Sequence, residues 1–102
     1  MIGYLHGKIT ELFPDMCFIE VAGVGYRVLI AASTRSQLKI GQELTLYTYL
    51  NVREDALQLY GFFTQAEYTI FNHLISVSGI GPKAGLNILS VMSADKIVWA
   101  IQ

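Results

Sequence analysis

The sequence has little of several features that mark other classes of protein. Of its 102 residues one is a cysteine and two are prolines, 15% are charged, and the net charge is -1. Its apolar runs are far shorter than the ~18 residues that a membrane-spanning helix needs, and no basic segment followed by an apolar one opens the chain. We therefore expect a cytoplasmic protein. The weak negative charge also argues against a surface that attracts polyanions over its whole extent.

Residues that carry chemistry are equally sparse. His6 and His73 are isolated and lack the spacing of metal ligands. Cys17 lies between Met16 and Phe18 in an apolar, strand-like run, so we expect a buried thiol rather than a nucleophile. Neither GxxxxGK[ST] nor GxGxxG after a strand occurs. The sequence thus predicts a protein that is not an enzyme, with no catalytic residue, no metal and no cofactor.

What the chain does have is apolar alternation in its first two thirds. Residues are 53% hydrophobic overall, and apolar side chains alternate with polar ones in five short segments between residues 2 and 63. Turn residues separate the segments, which are 4–12, 17–21, 26–30, 44–52 and 57–59. About five strands without a long helix between them favour a small closed antiparallel barrel of the OB type, since closure removes exposed strand edges.

From Thr64 onward the apolar period becomes helical. Thr64-Gln65-Ala66-Glu67 has the spacing of a capping box, and Tyr68, Phe71 and Leu74 follow on one stripe. Ser93 is suited to begin a further helix over residues 94–101. We therefore predict an α+β protein of two modules: a barrel domain at 1–63 and a helical domain at 64–102.

The segment SGIGPKAGLNIL, residues 78–89, predicts a glycine turn that opens directly into a helix. Gly79 and Gly81 allow positive φ or close approach of a ligand, and Pro82 suits the first helical position. Free amides there, the positive end of the helix dipole and the Lys83 cation together favour an anion. An ordinary helix-helix connection, with glycines serving only the turn, is about equally compatible with these residues.

A second candidate is the turn Arg53-Glu54-Asp55-Ala56 between the last two predicted strands. Adjacent carboxylates at such a tip are most often a solvated corner of the fold. General acid-base catalysis is disfavoured, because neighbouring residues at a hairpin tip do not flank a substrate.

Five segments, taken in order, resemble one bacterial family, the Holliday-junction-binding RuvA proteins. They are MIGYLHGKI, VAGVGYRV, NVREDALQLYGF, TQAEYTIFNHLISVSGIGPKAGLNILS and SADKIVWAI. The resemblance covers essentially the whole chain, up to an incomplete helix-hairpin-helix region at its end. It implies an OB-fold followed by a helical domain with two hairpin motifs and by a motor-binding domain. Of these, the second hairpin motif and the motor-binding domain are not included in this sequence. Gly85 departs from the family, which usually has alanine there.

The resemblance also implies a function. RuvA proteins are scaffolds without a catalytic site; as homotetramers they bind four-way junction DNA, and they work with the ATP-hydrolysing motor RuvB and the resolvase RuvC in recombination and repair. By this resemblance Glu54 and Asp55 form an acidic pin with Arg53 beside it. Backbone phosphates would be held at the hairpin by Gly79, Ile80, Gly81 and Lys83.

Two other functions fit the sequence. A general OB-type binder of single strands would use strand aromatics as stacking platforms, namely Tyr47, Tyr49, Tyr60 and Phe62. Alternating aromatics in strands are more often core or subunit contacts, however. A purely structural oligomerisation module is the third interpretation.

Overall fold

A computed structural model describes residues 2–77 and 79–91 of the chain. Its strands and helices follow in the order β1 (Tyr4–Leu12), β2 (Met16–Val21), β3 (Val24–Ile30), α1 (Ala32–Arg35), β4 (Glu43–Val52), β5 (Leu57–Phe62), α2 (Gln65–Val77) and α3 (Pro82–Val91). The helix predicted over residues 94–101 and its Ser93 cap lie outside the described residues. No helix within the described part is long and apolar enough to cross a lipid bilayer.

The five strands form a closed barrel in the order β1-β2-β3-β5-β4, which confirms the predicted barrel. Four of the pairs are antiparallel, but β3 and β5 close the barrel as a parallel pair, with Val28 opposite Leu59 and Ile30 opposite Gly61. The sequence did not indicate this parallel pair. Nor did it indicate α1, because a four-residue helix is too short to show a helical period.

The barrel interior is filled by residues that alternate along the strands. Ile9, Cys17, Ile19, Val28 and Leu46 are all fully buried there. The predicted burial of the Cys17 thiol is thus confirmed, and burial raises its pKa from 9.0 to about 11. A thiol with this pKa is protonated at neutral pH and is a poor nucleophile.

A second cluster joins the barrel to the helices. Phe62 of β5 and Phe71 of α2 are fully buried, with ring centroids 4.7 Å apart, and Leu86 and Leu89 of α3 complete the contact. Gly85 allows α2 and α3 to approach closely, since a Cβ there would lie 3.3 Å from the Phe71 ring. The helices therefore pack directly on one wall of the barrel.

Thr64 caps the start of α2, which is one half of the predicted capping box. The Thr64 hydroxyl oxygen accepts a hydrogen bond from the Glu67 amide at 3.2 Å. The Thr64 hydroxyl also lies 3.2 Å from the Glu67 carboxylate, to which it donates. This N-cap follows β5 directly and determines the residue at which α2 begins.

Candidate nucleic-acid interface

The turn between α2 and α3 has the exposed backbone that the glycines predict. Gly79 has a φ of +69°, a conformation that residues with a side chain rarely adopt. Gly79 and Gly81 are both exposed, and a Cβ added to either would meet no atom within 4 Å. The open space around these two residues leaves room for a ligand to reach the main chain.

The amino end of α3 follows at once. Its first backbone hydrogen bond runs from the Gly85 amide to the Gly81 carbonyl at 2.9 Å, so the amides of Lys83 and Ala84 precede the helical ladder. Pro82 has no amide to leave unsatisfied. Lys83 and Ala84 are exposed. The free amides, the helix dipole and the Lys83 charge therefore all attract an anion placed at this end.

The Ile80 amide, which the resemblance places among the phosphate-binding groups, makes a hydrogen bond within the fold. It donates to the Leu74 carbonyl at 3.4 Å, which closes the carboxyl end of α2, and the half-buried Ile80 side chain packs on the second cluster. Ile80 therefore anchors the turn to the core. The amides open to an anion are then those on either side of it and those at the start of α3.

The acidic tip is an exposed turn between β4 and β5. Val52 and Leu57 form the last pair of the strand ladder, and the Arg53 amide donates to the Ala56 carbonyl at 2.9 Å. Glu54 and Asp55 lie in this turn with exposed side chains. Within residues 2–77 and 79–91 the one contact of salt-bridge length is between His6 and Glu43, so neither tip carboxylate is paired with a cation of that part of the chain.

The fold brings the tip and the turn to the same cleft, which the sequence could not show. This cleft of about 740 Å³ lies between the barrel wall and α3, and both Arg53 and Lys83 line it together with Gly81. Gly81 at the end of the glycine turn and Arg53 at the base of the acidic tip thus face one common space. Arg53 and Lys83 provide its positive charge, and the Asp15 carboxylate, which also lines it, provides a negative one.

The same cleft contains polar residues that sequence reasoning missed. Asn51 and Gln58 lie opposite each other on β4 and β5, just before the tip, and Asn87 lies one turn along α3 from Lys83. For Asn51 and Gln58 the only signal in the sequence was that they flank the acidic turn, and Asn87 had no such signal. Amide side chains can donate hydrogen bonds to phosphate or sugar oxygens.

Tyr60 also lines the cleft, and the charge of Arg53 acts on the pKa of its hydroxyl. Desolvation raises the pKa of the Tyr60 hydroxyl, while the Arg53 guanidinium acts in the opposite direction. The hydroxyl lies 3.3 Å from the Gln58 side-chain oxygen, to which it donates. Tyr60 therefore stays neutral and holds Gln58 beside the cleft.

The aromatics proposed as stacking platforms belong to the core instead. Tyr60 and Phe62 are 3% and 0% exposed. Tyr49 packs edge-on against Phe71 at 5.4 Å, and Tyr47 lies 6.4 Å from Tyr68 of α2. Because Tyr60 and Phe62 are buried, and Tyr47 and Tyr49 are half-buried beside α2, these four rings do not form an exposed row on which successive bases could stack.

Comparisons with known proteins agree with this architecture. Residues 1–61 match the family described as RuvA N terminal domain. A protein of Symbiobacterium thermophilum named Holliday junction branch migration complex subunit RuvA is 56% identical over 91 residues, 88% of this chain and 44% of the relative. Proteins of the same name from Acetivibrio thermocellus and Actinobacillus pleuropneumoniae are 46% and 47% identical, over 99% and 100% of this chain. This chain spans about half the length of these curated relatives.

Proposed function

This chain belongs to the RuvA family, and from that premise we propose that it binds four-way junction DNA as part of the scaffold subunit of a branch-migration complex. The relatives' shared name supports the complex, and the exposed turn and tip support the binding mode. In this proposal the protein acts without a catalytic site of its own. A motor, RuvB, would hydrolyse ATP, and the resolvase RuvC would act on the same junction.

The observation that carries the proposal is the shared cleft. A site that recognised only a duplex would need the glycine turn alone, since one turn can hold one backbone phosphate. Here Gly81 and Lys83 from the glycine turn and the start of α3 line the same space as Arg53 at the base of the acidic tip. Branched DNA is a polyanion that needs both effects, because the protein must hold the backbones of its arms and keep its crossing strands apart.

The turn would contribute affinity without reading sequence. Amides at Gly79, Gly81 and Lys83 can donate to phosphate oxygens, and the Lys83 ammonium adds a salt-sensitive ion pair. Contacts to phosphate oxygens carry no sequence information, because these oxygens are the same at every base pair. The protein would therefore recognise the shape of DNA rather than its sequence.

The tip would contribute selectivity. The Glu54 and Asp55 carboxylates repel phosphates within a few ångströms, so they disfavour a continuous duplex laid across the tip more than the strands of a junction, which can diverge around it. In a homotetramer, which we propose as the assembly, four tips would meet near the centre of the junction. They would keep the crossing strands apart while the four turns hold the arms.

Binding of fixed DNA structures at controlled salt tests the proposal. We expect the chain to bind a four-way junction more tightly than duplex or single strand, with affinity falling as salt rises. Lys83→Gln should weaken junction binding and reduce the slope of log K against log salt by about 1, the value for a single lysine–phosphate ion pair. Lys39→Gln removes the same charge from an exposed loop and is the matched control; it should change neither.

Each contrary result identifies a different function. Preference for single strands over the junction would support the general OB-type binder. Oligomers without salt-sensitive DNA binding would support the structural module. Equal effects of Lys83→Gln and Lys39→Gln would remove the turn from the binding site.

A further inference from the structure

Two hydrogen bonds join α3 to the barrel at the end of the helix that is farthest from the glycine turn. The Ala32 amide of α1 donates to the Ser90 hydroxyl oxygen at 3.2 Å. The Ser33 hydroxyl donates to the Leu89 carbonyl at 3.3 Å. Both bonds are donated by α1 and accepted by α3, one satisfying the first amide of α1 and the other a carbonyl near the end of α3.

These bonds make each helix a cap for the other. The N-cap residue of α1, Ala31, has no side chain able to accept a hydrogen bond from the first amides of that helix. Ser90 supplies the missing oxygen from α3, and its own proton is directed to the Leu86 carbonyl at 3.1 Å. Ser33 in turn donates to a carbonyl in the last described turn of α3. Caps of this kind normally come from the helix's own sequence.

The position of this reciprocal cap matters because α3 connects it rigidly to the glycine turn. At about 1.5 Å per residue its ten residues span ~15 Å, from the glycine turn at one end to the cap at the other. On the barrel side, α1 lies between β3 and β4, and β4 leads directly to the acidic tip. A small rotation at the cap therefore changes the separation of turn and tip.

We propose that Ser90 and Ser33 are positioning residues that fix the angle of α3 on the barrel and thereby the spacing between the glycine turn and the acidic tip. The consequence for DNA rests on the proposed function. A duplex arm needs only the turn, whereas a four-way junction must meet turn and tip together. Loss of the cap should therefore lower selectivity for the junction more than it lowers affinity for duplex.

A distance measurement tests the positioning directly, without DNA. Nitroxide labels on Ala84→Cys and Ala56→Cys, both exposed, report the separation of turn and tip, and the buried native thiol of Cys17 stays unlabelled under native conditions. In this labelled chain Ser90→Ala and Ser33→Ala should each broaden the distance distribution, and Ser90→Thr should restore it. Ser76→Ala is the matched control, since among the described residues the Ser76 hydroxyl bonds only back along α2, to the Asn72 carbonyl at 2.6 Å.

A binding measurement on the unlabelled chain tests the consequence. Ser90→Ala should lower the ratio of junction to duplex affinity about fivefold, the size expected for one hydrogen bond, while duplex affinity stays within about twofold. An unchanged distance distribution in both serine variants would overturn the positioning role. A broadened distribution with an unchanged affinity ratio would overturn its link to the junction. Failure of the parent chain to prefer the junction contradicts the proposed function, while the distances still decide the positioning.

Discussion

At the scale of single residues, Cys17 shows how position in the barrel determines chemistry. Its side chain is fully buried in the apolar interior, and desolvation is the cause of its pKa shift. Burial disfavours the thiolate, so the pKa rises from 9.0 to about 11. The folded protein therefore holds this proton more tightly than the unfolded chain does.

This difference makes the stability of the protein depend on pH in the alkaline range. The contribution of Cys17 is fully present below pH 9 and is lost as the pH rises through about 11. We expect the free energy of unfolding of the parent chain to fall by about 2–3 kcal/mol more than that of Cys17→Ala between these limits. Urea unfolding of both proteins at pH 8, 9.5 and 11 measures it, because the other titrating groups are common to both. Parallel pH profiles would contradict the burial argument.

At the scale of elements, what the sequence could predict follows from how local each signal is. The bounds of β1 agree with the predicted segment, and the Thr64 cap and the positive φ of Gly79 were visible as short motifs. The Ile80 amide bond and the Ser90 cap were not predictable, because each joins residues that no local pattern relates. The same holds for the cleft, since Arg53 and Lys83 line one space only when α3 packs on the barrel.

The β4–β5 turn carries a prediction of its own. Glu54→Gln with Asp55→Asn removes two exposed negative charges near the proposed path of the phosphates, so junction affinity should stay the same or increase while duplex affinity increases more. The ratio between them should therefore fall. Competition binding with both DNAs at one salt concentration measures this ratio.

A matched control separates the position of the charge from its amount. Glu11→Gln with Glu20→Gln also removes two exposed carboxylates, but from β1 and β2. It should raise both affinities alike and leave the ratio unchanged. A large loss of junction affinity in the tip variant would contradict the assignment of the tip as an acidic pin.

At the scale of the whole molecule, two modules were predicted because the spacing of apolar residues changes from strand-like to helical. These modules share part of their core. The boundary near residue 63 coincides with the passage from β5 to α2. Across it, however, Tyr60 and Phe62 of the barrel pack with Phe71 of α2, at centroid distances of 5.8 and 4.7 Å from its ring. Removing the helices would expose these barrel aromatics to water, and removing the barrel would leave α2 and α3 without most of their apolar contacts.

This shared cluster predicts that barrel and helices unfold together rather than as independent domains. Urea unfolding followed by far-UV circular dichroism, which reports the helices, and by near-UV aromatic signals should give coincident transitions. Phe71→Ala should destabilise both by about 3–5 kcal/mol, because it leaves a cavity between them. Ile40→Ala, at a side chain that is 63% exposed, should change stability by less than about 0.5 kcal/mol. Helices that melt before the barrel, with Phe71→Ala shifting the helical transition alone, would show that the cluster does not couple the two modules and that the turn is positioned by local contacts only.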